Sequence, residues 1–223
     1  MLTKRKKWLL LFIYVTGFLL IPPLAGGVVS QFLNLSGLGL LAVINLITYA
    51  ILCGAVLLLS QDVFKKDVKK IDHWGKFVAQ MAMGLIFTFG SVLVGNLIVM
   101  SLGTTEMATN QEVAANILDA MPFVMIITAI FLAPIVEEII FRLVLMNLFD
   151  WKPVYQLLFS SLIFGLFHVL LGGWIHIISY TLAGLVFGYF YLKHRNIWHV
   201  TILHILHNGV TIGLMFWIAQ LMS

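Results

Sequence analysis

Long apolar runs separated by short polar ones set the rhythm of the chain. Seven runs stand out, at about 8–27, 37–59, 77–102, 121–146, 153–172, 174–192 and 197–220. An α-helix rises 1.5 Å per residue, so roughly 20 apolar residues cross a hydrocarbon core of about 30 Å. Lipid offers the backbone no hydrogen bonds, whereas a helix satisfies its own. The pattern predicts an all-α fold, a polytopic membrane helix bundle of about seven transmembrane helices forming one integral membrane domain. Residues 1–119 supply spans one to three, a scaffold or substrate gate. Residues 120–223 supply spans four to seven. Of the connections, 60–76 reads as a solvated basic loop, with Phe64, Ile71 and Trp74 available to rest on lipid headgroups. Residues 103–119 read as a polar external loop holding a short amphipathic helix.

Composition narrows the class. The 223 residues are 61% apolar and only 10% charged, against about 25% charged in an ordinary soluble domain. A soluble globule of this size cannot hide that much apolar surface, because it still needs a polar skin. Disordered and disulfide-rich secreted chains are excluded as well. Cys53 stands alone, so an intrachain disulfide and a cysteine metal cluster are ruled out. The net charge of +4 is not a nucleic-acid signal; in a membrane chain the placement of the basic residues matters more than their sum. Lys4 to Lys7, then Lys65, Lys66, Lys69, Lys70 and Lys76, then Arg142 and Lys152, then Lys193 and Arg195 fall on one side of the seven spans. The opposite connections carry Glu106, Glu112 and Asp119 and no base. The positive-inside rule then puts the N-terminus in the cytoplasm and the C-terminus outside. The partner implied is membrane lipid, with no nucleic acid. Pro22 to Gly27 after the first run would also suit a signal-peptide cleavage site, but the run is long for a signal core and charge parity works with span one retained.

Candidate chemistry is uneven along the chain. Spans one to three hold almost no ionisable group, Gln80 and Asn96 being polar but uncharged, whereas spans four to seven hold Glu137, Glu138, Arg142, His168, His176, His199, His204, His207 and Asn208. Ionisable groups at membrane depth are costly unless paired or hydrated, and they mark function. Glu138 and Arg142 are spaced i, i+4 with the acid first, the favourable order for an ion pair. Glu137 is then left needing a polar partner from another helix. Pro134, three residues earlier, removes a backbone donor and can open a local cavity. Gly165 and the serines beside it allow close helix approach around His168. His204 and Asn208 share a face at i, i+4, and His207 is able to turn the same way. A structural ion-pair cluster and a hydrogen-bonded core histidine also fit these residues taken singly. From helix rise alone, His168 lies deeper than Glu137 and His204, while the site as a whole is expected in the cytoplasmic half.

Three motifs in order add to this reading: Glu137-Glu138-x-x-x-Arg142, Phe164-x-x-x-His168 and His204-x-x-x-Asn208. With Pro134, Ile163-Phe164-Gly165, Gly184, Gly188 and Asn196-Ile197-Trp198 around them, residues 120–215 resemble the CPBP family. This group comprises the type II CAAX prenyl endopeptidases and bacterial (Abi) relatives linked to bacteriocin processing and immunity. The resemblance implies an intramembrane endopeptidase acting on a membrane-associated peptide or protein. Glu137 and His168 would activate a water, and His204 and Asn208 would donate to the oxyanion. Glu138 and Arg142 complete the site. Zinc, held by Glu137, His168 and His204, is the rival chemistry, although no His-Glu-x-x-His signature is present; water activation without a cofactor is the expectation. In a bacterial plasma membrane a pheromone, bacteriocin precursor or membrane protein is a more natural substrate than a prenylated one. The alternative is self-immunity by binding alone. A proton-coupled transporter fits poorly, since no repeat symmetry is visible.

Overall fold

The computed structural model describes residues 2–222 except 34, 36 and 72. Those residues form helices and connections, with no strand among them. The helices are α1 (Lys4–Phe32), α2 (Gly37–Val68), α3 (Trp74–Ser101), α4 (Thr109–Ala120), α5 (Pro122–Asn147), α6 (Pro153–His168), α7 (Ile177–His194) and α8 (Ile197–Met222). Each apolar run forms a helix over most of its length. Six of the helices are long and apolar enough to cross a membrane, α7 counted with the turn Trp174–His176 before it. The chain is a multi-pass membrane protein. Its outer faces carry large apolar side chains such as Phe12, Leu58, Ile86 and Leu171, which suits lipid and would aggregate in water.

The fifth run departs from expectation. It ends at His168 instead of continuing to residue 172, and its 16 residues span only about 24 Å. Gly172 and Gly173, at φ +131° and +67°, turn the chain back there. Hydropathy missed this stop because Val169, Leu170 and Leu171 are apolar. The α6–α7 hairpin still starts and ends on one side, so the charge assignment is unchanged. Its crossing is close: a Cβ on Gly165 would lie 2.3 Å from the Thr181 hydroxyl oxygen, and one on Gly188 would lie 2.5 Å from Leu157. Small residues let helices approach and gain dispersion contacts that lipid-exposed helices lack. The α3–α7 crossing uses Gly95 in the same way, since a methyl on Gly95 would lie 2.5 Å from the Ser179 Cα. Beside it, Ser179 donates to Asn96 at 2.7 Å.

The basic connection is also different. α2 continues to Val68, so most of the expected loop is helix. Phe64 is buried and not on a headgroup; its ring meets Trp198 edge-on at 5.1 Å, and its carbonyl accepts the Trp198 indole N–H. Trp74 is exposed. The external segment behaves as expected, with α4 as its short helix. At the cytoplasmic end, the buried Asp67 accepts the backbone N–H of Ile197 at 3.0 Å. A carboxylate there satisfies an orphan amide and opposes the helix dipole at the start of α8. Asn196 adds a donor to the Asp67 carbonyl and accepts from Trp198 N–H.

Candidate active site

α5 is the helix on which the site is built, and its backbone is irregular on both sides of the acids. Wide π-helical turns cover Ile126–Leu132 and Ile139–Val144, with an α-helical turn Ala133–Glu138 between them. Pro134 brings no N–H, so a carbonyl one turn earlier is left over. Asn208 of α8 meets that need by donating to the Ala129 carbonyl at 2.8 Å. The second wide turn is satisfied similarly. Ser160 donates to the Phe141 carbonyl at 2.6 Å, and Asn147 donates to the Arg142 carbonyl at 2.9 Å. Such turns survive in lipid only where neighbouring side chains take up the freed backbone groups.

The expected ion pair is present. Arg142 Nε donates to Glu138 Oε2 at 3.0 Å, both side chains fully buried. Arg142 Nη1 donates to Ser160 Oγ at 3.0 Å, and the guanidinium lies over the Phe164 ring at 5.1 Å. The other oxygen of Glu138 accepts from His204 Nδ1 at 2.8 Å. One carboxylate thus joins α5 to α8 and fixes the His204 ring, which also stacks on Phe187 at 4.4 Å. A carboxylate only accepts, so Nδ1 carries the proton and the Nε2 lone pair is left free.

Glu137 is the acid without an arginine partner. Its Oε2 stands 3.9 Å from His204 Nε2 and 3.9 Å from His168 Nε2. His168 donates through Nδ1 to the Phe164 carbonyl at 2.8 Å, so its Nε2 is free as well. The two acids, 100° apart on their helix, meet opposite nitrogens of the same imidazole. Despite the mismatch expected from helix rise, His168 reaches the level of Glu137 and His204. His168 stacks on Tyr180 at 4.6 Å, and Tyr180 donates to Asn110 of the external helix α4 at 2.6 Å. Through Tyr180 the His168 ring is thus linked to the segment between α3 and α5.

Three tyrosines escaped the sequence reading. The Tyr49 hydroxyl of α2 interacts with the Glu137 carboxylate. Tyr14 of α1 lies within electrostatic reach of the same carboxylate and packs against Phe167 at 5.4 Å. Tyr180 completes the group. The first two helices therefore contribute to the site. The faint signal was one tyrosine in each of two largely apolar runs. The remaining candidates lie elsewhere. His207 packs against Phe89 at a tilt. His199 is buried, stacks on His194 and bonds Gln80. His176 is buried in the turn before α7.

A metal can be weighed against these donors. Both rings have Nδ1 engaged and Nε2 free, the arrangement that second-shell acceptors impose on zinc-bound histidines. A tetrahedral ion with bonds near 2.0–2.1 Å sets its donors about 3.4 Å apart, so the 3.9 Å separations are about half an ångström too wide. Among the described residues no three such side chains are spaced to hold a metal. The donor chemistry fits and the spacing does not.

Comparison with known proteins follows the same half of the chain. Residues 119–210 match the family model of the type II CAAX prenyl endopeptidase Rce1-like proteins. Across 92% of this chain and 87% of the relative, 26% of 219 residues are identical to "Putative membrane peptidase YdiL" of Bacillus subtilis (strain 168). No solved structure matches the chain.

Proposed function

We propose that this chain is an intramembrane protease of the CPBP type, similar to the Rce1-like endopeptidases over residues 119–210: it cleaves a peptide bond of a membrane-associated peptide or protein with a water activated by Glu137. The observation that carries the reading is the pair of equal gaps around Glu137 Oε2, 3.9 Å to each free Nε2. That distance is too long for a direct hydrogen bond and suits one bridging water. Glu137 takes a proton from this water, and the water oxygen bonds to the scissile carbonyl carbon. When the C–N bond breaks, the same proton goes to the departing amine. A positioned base of this kind contributes roughly 10²–10⁴ in rate.

The developing oxyanion needs donors. Asn208 uses one amide hydrogen on Ala129 and keeps a second for substrate. His204 presents Nε2 to the same space, its ring held in place by the Glu138 carboxylate at Nδ1. Arg142 and Ser160 hold Glu138 in that place. Each oxyanion donor is worth about 2.7–4 kcal/mol.

The free Nε2 atoms favour one second reading, in which Glu137, His168 and His204 hold a divalent ion. Such an ion would supply Lewis-acid polarisation of the carbonyl and a more acidic bound water. The test is a comparison of peptides released in membranes carrying the wild-type chain or the Glu137→Gln variant, with and without chelator. Loss of a defined set of products in the variant, unaffected by chelation, is the expected result. Chelator-sensitive activity moves the reading to the metal. Full activity of Glu137→Gln defeats both, and protection against a bacteriocin by that variant would move the role to immunity by binding.

A further inference from the structure

A second polar centre lies at the cytoplasmic ends of the helices, independent of the hydrolytic reading. A cavity of about 410 Å³ opens between the start of α1, the end of α2 and the α7–α8 turn. Its volume is in the range of small-molecule sites. Lys6, Lys66, Lys70 and Arg195 line it together with Asp62 and Asp67. Asp67 is already spent, on the Ile197 amide and on Lys70. Lys6, Lys66 and Arg195 then face one remaining carboxylate, Asp62, for a net charge of +2. The cations come from three separate chain segments, so their convergence is not the periodicity of one solvated helix face. Arg195 sits in the left-handed region at φ 47°, where glycine or asparagine rests without strain. The backbone holds an arginine there despite its cost. The inner wall is apolar, with Leu2, Val63 and Leu143. Leu143 follows Arg142 on the helix that carries the acids.

We infer that this cavity binds the phosphate group of an anionic phospholipid. The positive-inside side of a bilayer is where acidic headgroups meet basic pockets between helices. An amphiphile also suits a wall that is cationic at the mouth and apolar within. Seated there, a headgroup ties the N-terminus of α1 to the α7–α8 turn and to α5.

The test uses the full chain in detergent micelles, with retained lipid counted by native mass spectrometry. One phosphatidylglycerol per chain is expected, held about tenfold or more tighter than phosphatidylcholine and weakened by salt. Lys66→Gln with Arg195→Asn, the latter suited to the left-handed backbone, should reduce retention about tenfold. Lys65→Gln with Lys76→Gln, the same charge change outside the cavity lining, should retain the wild-type value. Lys66→Gln alone, an exposed position, serves if the double variant does not fold. Equal retention of the two lipids, or equal loss in both double variants, overturns the proposal. Inorganic phosphate is the third arm. Competition only at millimolar concentration supports a lipid headgroup. Protection against thermal unfolding by inorganic phosphate as strong as by the lipid assigns the cavity to free phosphate and overturns the lipid source.

Discussion

Two sets of imidazoles occupy the same bundle and meet opposite surroundings. His168 and His204 turn Nε2 toward Glu137 and have Nδ1 held by an oxygen. His194, His199 and His207 also pack against rings, but none of them makes an ion pair with a carboxylate among the described residues: His194 and His199 stack on each other at 4.5 Å, and His207 leans on Phe89. In each of these three, one ring nitrogen is buried without a hydrogen-bond partner, Nε2 of His194 and Nδ1 of His199 and His207. The difference is the supply of carboxylates. α5 places two at membrane depth, and only the rings that reach them gain a charged partner. A histidine in an apolar helix acquires chemistry from its neighbour and not from its own sequence context.

That contrast can be broken at several points. The largest effect is expected from Glu137→Gln, which keeps shape and removes the base; peptide release should fall by about 10²–10⁴ with helix content unchanged by circular dichroism. Glu138→Ala leaves Arg142 buried and unpaired and frees the His204 ring. A loss of about 3–5 kcal/mol is expected in the unfolding of the purified protein. Asn208→Ala orphans the Ala129 carbonyl as well as removing an oxyanion donor. It should cost about 1–3 kcal/mol of stability and lower kcat more than it raises KM. Tyr49→Phe removes only a hydroxyl beside Glu137, and a drop of about tenfold in turnover is the expected scale of one hydrogen bond to a charged group. The smallest effect belongs to the other imidazoles: His199→Gln should shift stability by about 1 kcal/mol and leave turnover within about twofold. A His199 variant as inactive as the Glu137 variant would erase the distinction between the two sets.

Much of the architecture was legible in advance because lipid imposes strict rules. Apolar length predicted the helices, and the helical period predicted the Glu138–Arg142 pair. What misled was local. Val169, Leu170 and Leu171 disguised the end of α6, since hydropathy does not register a turn made by Gly172 and Gly173. Phe64 was read as part of a solvated basic loop, yet α2 continues through it and turns its ring onto Trp198. Tyr14 and Tyr49 carried no motif, and their role depends on which way two long helices face.

Sequence alone therefore determined which segments lie in the membrane, which side their basic ends take and which residues were too polar to be there without a partner, because transfer from water to lipid is a property of composition and length. Tertiary structure decided the pairing: that Glu138 spends both oxygens on Arg142 and His204, that Glu137 is left facing two free imidazole nitrogens, and that Asn208 first satisfies the backbone opened by Pro134. Those outcomes turn on ångström-scale distances and on the wide turns of α5, which no period in the chain encodes.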